Sequence, residues 1–190
     1  MSLLNTYGKY ALDDTFLKQK FIDIIKEYDI NTIVETGVHE GRSTLEFSHL
    51  VEKVIGIDIL EESISIAKNR IDNSNRTNVK LYVGNSPQVL SSIIDSIDVE
   101  HTIFFLDAHW ESYWPINDEI KMLPKNKGII IVHDFLVPNH PELGFDAYNN
   151  QPFTYEFIKE SLTNWSNSHR VEYNTQANGS NRGVGFIYNK

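Results

Sequence analysis

The chain has 190 residues, 41% of them hydrophobic, which is enough for a substantial core and cramped for two full domains. Basic residues number 17 and acidic ones 26, so the net charge is −9 and no nucleic-acid partner is expected, since phosphate backbones need a basic face. Without cysteine there are no disulfides or thiolate metal sites, and without an 18-residue apolar run or a signal peptide no membrane segment is expected and the cytoplasm is the expected location.

The first periodic segment runs from Phe16 to Tyr28, where Phe16, Leu17, Phe21, Ile24 and Ile25 recur at helical spacing. A strand over about 32–36 follows and carries an acid, Glu35, next to Thr36. Two glycines, Gly37 and Gly41, then lead into Ser43-Thr44-Leu45, the start of a helix over about 42–50. The next strand, about 53–58, ends on Asp58, which lies 21 residues beyond Gly37. Strand, Gly-rich turn, helix, strand and acid is the layout of a nucleoside-binding βαβ unit, in which glycines let the backbone approach the ligand and the second acid reaches ribose hydroxyls. The spacing is Gly-x-x-x-Gly, and the dinucleotide pattern Gly-x-Gly-x-x-Gly is absent. Charge separates the ligands. A pyrophosphate beside Glu35 meets a like charge, whereas S-adenosylmethionine brings an ammonium to Glu35 and a carboxylate to the free amides at the Ser43 helix.

A helix from about Glu61 to Ile71 turns Ile64, Ile66 and Ala67 inward. The strand Lys80–Val83 ends at Gly84-Asn85-Ser86-Pro87, where Pro87 fits a first helical turn and Ser86 a cap. Two continuous apolar runs, Thr102–Leu106 and Gly128–Val132, read as central parallel strands covered on both faces, ending on Asp107 and on His133-Asp134. Pro138 to Gln151 reads as a loop, about 153–165 as a helix, and Arg170–Asn174 and Val184–Tyr188 as a hairpin around the turn-rich stretch 178–183. The expected fold is α/β, a Rossmann-like doubly wound sheet of seven mostly parallel strands with an antiparallel C-terminal hairpin strand. One domain is expected over 1–190, with a helical segment at 1–30, a cofactor-binding core at 31–135, and substrate loop, helix and hairpin at 136–190. Ligands of such sheets bind outside the carboxyl ends of the strands, which puts Glu35, Asp58, Asn85, Asp107, His133 and Asp134 on one rim.

On these residues the chain resembles the class I S-adenosylmethionine-dependent methyltransferases, and most of all the small bacterial metal-dependent O-methyltransferases. The resemblance implies that Glu35, Thr36, Gly37, Gly41 and Ser43 hold the methionine moiety, Asp58 the ribose, and Asn85 or Ser86 the adenine. Leu106-Asp107-Ala108-His109-Trp110 looks like the motif where methyl donor and acceptor meet. Asp107 and Asp134 stand where such enzymes bind a divalent cation, Mg²⁺ or Mn²⁺, with His133 as a third ligand. Phe135 takes the place of the amide that the catechol-type pattern supplies, and His133 the place of an acid in the macrolide-sugar type. Imidazole among the ligands lets Mn²⁺, Fe²⁺ or Zn²⁺ compete with Mg²⁺. His109 and His133 are the candidate bases, because Trp110 replaces the catechol-type lysine. Trp110, Tyr113, Trp114, Phe145 and Tyr148 are candidate pocket walls, with Tyr7 and Tyr10 as parts of a lid. The expected activity is methyl transfer to a hydroxyl of a small molecule, a sugar, natural product or aromatic. A homodimer is compatible with this reading. An NAD-linked oxidoreductase and a non-catalytic S-adenosylmethionine-binding protein are the alternatives.

Overall fold

A computed structural model describes residues 10–109 and 113–189. Trp110 and Tyr7 lie outside the described residues. Five parallel strands form the heart of the sheet: β1 (Thr32–Thr36), β2 (Lys53–Asp58), β3 (Val79–Val83), β4 (Thr102–Leu106) and β5 (Ile129–His133). β6 (Ala147–Tyr148) and β7 (Gln151–Pro152) make a separate two-stranded ribbon, and β8 (Arg170–Tyr173) and β9 (Val184–Tyr188) complete the main sheet. Its order is β3-β2-β1-β4-β5-β9-β8, with β9 antiparallel to both β5 and β8. The seven-stranded, mostly parallel doubly wound sheet is therefore present, and its last strand inserts between β5 and β8.

Strands β1, β4 and β5 are buried along their whole length, as continuous apolar runs require when helices cover both faces. One face packs on α1 (Thr15–Glu27) and α2 (Arg42–Phe47) through Leu17, Phe21, Ile24 and Phe47. On that face α3 (Glu61–Asn73) adds Ile64 and Ala67 against Val38 and Leu81. The opposite face packs on α4 (Ser86–Ile93), α5 (Ile116–Met122) and α6 (Tyr155–Trp165) through Leu90, Ile120, Leu162 and Trp165. Among the described residues, no helix is long and apolar enough to cross a membrane.

Three local differences from the expected pattern have physical causes. Helix α2 ends at Phe47, short of residue 50, because the chain tightens there into turns in which the His49 and Leu50 N–H groups bond three residues back, to the Glu46 and Phe47 carbonyls. Helix α5 is an addition: its seven residues follow Pro115 directly, too short a run for periodicity to stand out. The cap of α4 is Asn85, with Ser86 and Pro87 inside the first turn; the Ser86 hydroxyl turns away from the helix amides to the α5 side chain Glu119. The loop 138–151 holds the β6–β7 ribbon, whose turn residues Asn149 and Asn150 adopt φ of 48° and 63°. Asparagine tolerates that left-handed conformation better than most residues.

Candidate active site

A cavity of about 540 Å³ opens above the carboxyl ends of the parallel strands. The strand order reverses between β1 and β4, the switch point at which open α/β sheets bind ligands. Gly37, with φ of 82°, carries the turn after β1. A Cβ there would lie 2.5 Å from the Asp107 carbonyl oxygen, so only glycine lets the two strand ends cross this closely. The turn is held by its backbone: Gly37 N–H donates to the Ile57 carbonyl at 2.9 Å, and His39 N–H donates to Asp58 Oδ2 at 2.8 Å. Asp58 Oδ1 accepts from the Leu60 N–H at 2.9 Å. Its carboxylate sits on the cavity wall with lone pairs to spare, since each oxygen has two.

Of the expected site residues, Gly37, Ser43, Asp58, Asn85, Ser86, Asp107, His109, His133 and Asp134 line this cavity. Glu35, Thr36 and Gly41 do not. Glu35 is 0% exposed and accepts hydrogen bonds from the Ser43 and Thr44 hydroxyls, one on each oxygen. Side chains alternate along a strand, and Glu35 shares the face of Ile33, towards α1 and α2, so its carboxyl lies beneath the turn. Burial pushes its pKa up to about 8 despite the two hydroxyls, which keeps it neutral near pH 7. The expectation that Glu35 offers a negative charge to an ammonium is thereby corrected: it is a buried hydrogen-bond acceptor that pins helix α2 to β1. Gly41 has a packing role, since a Cβ there would come within 2.6 Å of Ala67 Cβ on α3. Thr36 faces the other side of the sheet and is 0% exposed.

At the ends of β4 and β5 the side chains form a dense charged cluster. His133 Nδ1 lies 3.1 Å from Asp107 Oδ1 and 3.3 Å from Asp134 Oδ1. Burial alone would lower the His133 pKa, but the two carboxylates outweigh it and raise it to about 10. Asp134 also loses by burial, yet His133 and Arg182 hold its carboxyl well below the usual range. His133 Nδ1 thus faces both carboxylates at the strand ends. His109 is different: it is 46% exposed at the side chain and its Nε2 lies 3.3 Å from Asp146 Oδ2 and 3.8 Å from Asp134 Oδ2.

Two members of this cluster carry no signal in the sequence reading. Arg182, from the connection between β8 and β9, pairs with both Asp134 and Asp146. It reads in the sequence as one polar residue of a turn. Asp146 belongs to the loop before β6, and its backbone N–H donates to the Asp134 carbonyl at 2.9 Å. A third buried acid, Glu119 on α5, is 0% exposed and accepts from Ser86. Burial raises its pKa to about 7, against the lowering effect of the Ser86 and Thr36 hydroxyls. In the fold Glu119 shares the buried side of α5 with Ile116 and Ile120, a segment too short for its periodicity to stand out in the sequence.

The donor set of Asp107, His133 and Asp134 fits one divalent cation, since a ligand atom from each lies within 4.8 Å of the others.

A family model described as a methyltransferase domain matches residues 31–179. No curated protein matches the chain. Among solved structures, the O-methyltransferase from Bacillus cereus in complex with SAH superposes with a TM-score of 0.68 at 18% identity, covering 98% of this chain and 84% of that one. The O-methyltransferase TomG from Streptomyces achromogenes, involved in tomaymycin synthesis and solved with SAM, gives 0.64 at 15% identity, covering 90% and 78%. An rRNA methylase from Streptococcus thermophilus gives 0.52 at 13% identity, covering 90% and 94%. At these identities the likeness is one of fold.

Proposed function

The chain belongs to the class I S-adenosylmethionine-dependent methyltransferase family, and from that premise we propose that it methylates a hydroxyl group of a small molecule. The observation that carries this reading is the continuity of one cavity from Asp58 to the Asp107–His133–Asp134 cluster. A nucleoside end and a reaction end thus share one space. The net charge of −9 and the acids on the cavity wall weigh against an RNA acceptor.

S-adenosylmethionine supplies an electrophilic methyl group when bound. The Gly37 turn gives it a close backbone approach, and Asp58 accepts its ribose hydroxyls. The acceptor hydroxyl has to lose a proton as it attacks, and in this reading His109, on the cavity wall, takes it. Asp146, 3.3 Å from Nε2, orients the ring and stabilises the imidazolium that forms. Arg182 holds Asp146 and Asp134 together behind His109, which fixes the dyad. A divalent cation at Asp107, His133 and Asp134 would lower the pKa of the acceptor hydroxyl and so relieve His109 of part of this task.

Transfer of a labelled methyl group to a panel of catechols, phenols and sugars, with an RNA transcript beside them, tests the assignment. Labelling of a small hydroxyl compound is expected, with His109→Ala slowing it by about 100-fold, the lower end for loss of a general base. Repeating the assay with chelator and with added Mn²⁺ separates the two ways of removing the proton. Labelling of RNA alone would overturn the proposed acceptor class.

A further inference from the structure

The tip of the hairpin between β8 and β9 is tied to the N-terminal segment by bonds that the mechanism above does not use. Asn178 spends both ends of its side chain on Thr15, the first residue of α1. The Thr15 N–H donates to Asn178 Oδ1, and Asn178 Nδ2 donates to the Thr15 hydroxyl, each at 2.8 Å. Two residues on, the Ser180 N–H donates to Asp13 Oδ1 at 2.7 Å. Gly179 lies between them, so close that a Cβ there would stand 2.6 Å from the Asp13 carbonyl oxygen. Helix α1 does not need Asn178 as a cap, because Asp14 already accepts from the Phe16 and Leu17 N–H groups at 2.8 and 3.1 Å. The turn does not need it either, since its left-handed positions are Gly179 and Asn181, each with φ of 56°. Both Asn178 bonds are exposed, and hydrogen bonds exchanged against water add little net stability.

What this clasp fixes is the place of Arg182. The Asn178 carbonyl accepts the Asn181 N–H at 2.9 Å and closes the turn that leads directly into Arg182. The tip is also bound to the loop before β6: Asn181 Nδ2 donates to the Glu142 carbonyl, and the Gly144 N–H to the Asn181 carbonyl, both at 2.9 Å. Arg182 therefore leaves a short stretch of chain anchored to two separate segments, and its guanidinium reaches both Asp134 and Asp146. That guanidinium is a rigid planar fork, so a shift of its backbone loosens both pairs at once. Tyr10 and Ala11 before the clasp, and Ser180 and Arg182 within the tip, line one cavity, whereas Asn178 is not among its lining residues. We infer that Asn178 is a positioning residue for methyl transfer, which holds Arg182 from outside the cavity and so keeps Asp146 aligned with His109. The inference rests on the reading of His109 and Asp146 as the proton-accepting pair proposed above. Misplacing a reacting group by about 1 Å costs on the order of 100-fold in rate, so a clasp this far from the chemistry is felt in kcat.

The test follows the Arg182 Nε–H by nuclear magnetic resonance, its signal identified by its loss in Arg182→Lys. In the parent this proton is engaged by Asp134 and is expected to exchange slowly with water. Asn178→Ala should speed the exchange by about 10-fold or more. It should also lower kcat by about 10-fold on the compound labelled among the catechols, phenols and sugars above, with affinity for S-adenosylhomocysteine within about two-fold of the parent's. Asn178→Asp, whose two oxygens accept from the Thr15 N–H and hydroxyl, should restore both values. Thr15→Val removes one bond of the clasp and keeps the Asp14 cap, and should change both values in the same direction should Asn178→Ala fail to fold. Parental exchange in Asn178→Ala and Thr15→Val overturns the inference. So does faster exchange with parental kcat, provided that Arg182→Lys slows the reaction. Parental kcat in Arg182→Lys overturns instead the role given to Asp146 and His109. Labelling of none of the compounds overturns the proposed function, and the inference with it.

Discussion

Glu35 illustrates how one residue can be seen in the sequence and still be misread. Its place next to the Gly37 turn marks the end of a nucleoside-binding strand, and the strand, turn and helix are all there. The direction of its side chain is set by alternation along β1, which puts it under Ser43 and Thr44, out of the cavity. The folded protein keeps Glu35 protonated up to about pH 8, while the unfolded chain releases that proton near 4.5. The folded state therefore binds more protons between these values, and stability falls as pH rises through the window. Glu35→Gln keeps the shape and removes the titration. Its melting temperature should gain on the parent's between pH 5 and 8, with a relative slope of no more than about 1.4 kcal/mol per pH unit. Parallel melting curves across that range would show that Glu35 is ionised in the fold.

Among the elements, the C-terminal hairpin does most to build the reaction end. It brings Arg182 to Asp134 and Asp146, and Ser180 to the cavity wall. Its docking depends on Gly183, whose carbonyl accepts the Phe135 N–H at 2.9 Å and whose N–H donates to the Gly144 carbonyl at 2.8 Å. A Cβ on Gly183 would overlap the Phe135 carbonyl oxygen. Gly183→Ala should therefore destabilise the protein by roughly 1–3 kcal/mol, in the range of overpacked buried sites, as read by denaturant unfolding. An unfolding midpoint within error of the parent's would mean that the hairpin is not held as described. The strands were legible because β1, β2, β4 and β5 are apolar runs bounded by turn residues, and their carboxyl ends carry polar side chains. Helix α5 was not, because seven residues after Pro115 give too little periodicity. Asp146 and Arg182 were illegible for another reason: they meet only through long-range packing of loop on hairpin, which no local spacing encodes.

For the molecule as a whole, the layout of the sheet assigns different tasks to different strands. The ends of β1 and β2 offer a backbone cradle and one acid, while β4 and β5 deliver charged groups that the hairpin and the loop before β6 enclose. The central claim is that the first half of this rim binds an adenosyl cofactor without phosphate. Titration of the parent protein and of Asp58→Ala with S-adenosylhomocysteine and, separately, with NAD tests it most directly. S-adenosylhomocysteine should bind the parent, weaken by about 10-fold or more in Asp58→Ala through loss of a charged hydrogen-bond acceptor, and raise the parent's melting temperature. NAD should do neither. Binding of NAD with no response to S-adenosylhomocysteine, or equal affinity of parent and Asp58→Ala for S-adenosylhomocysteine, would contradict the account.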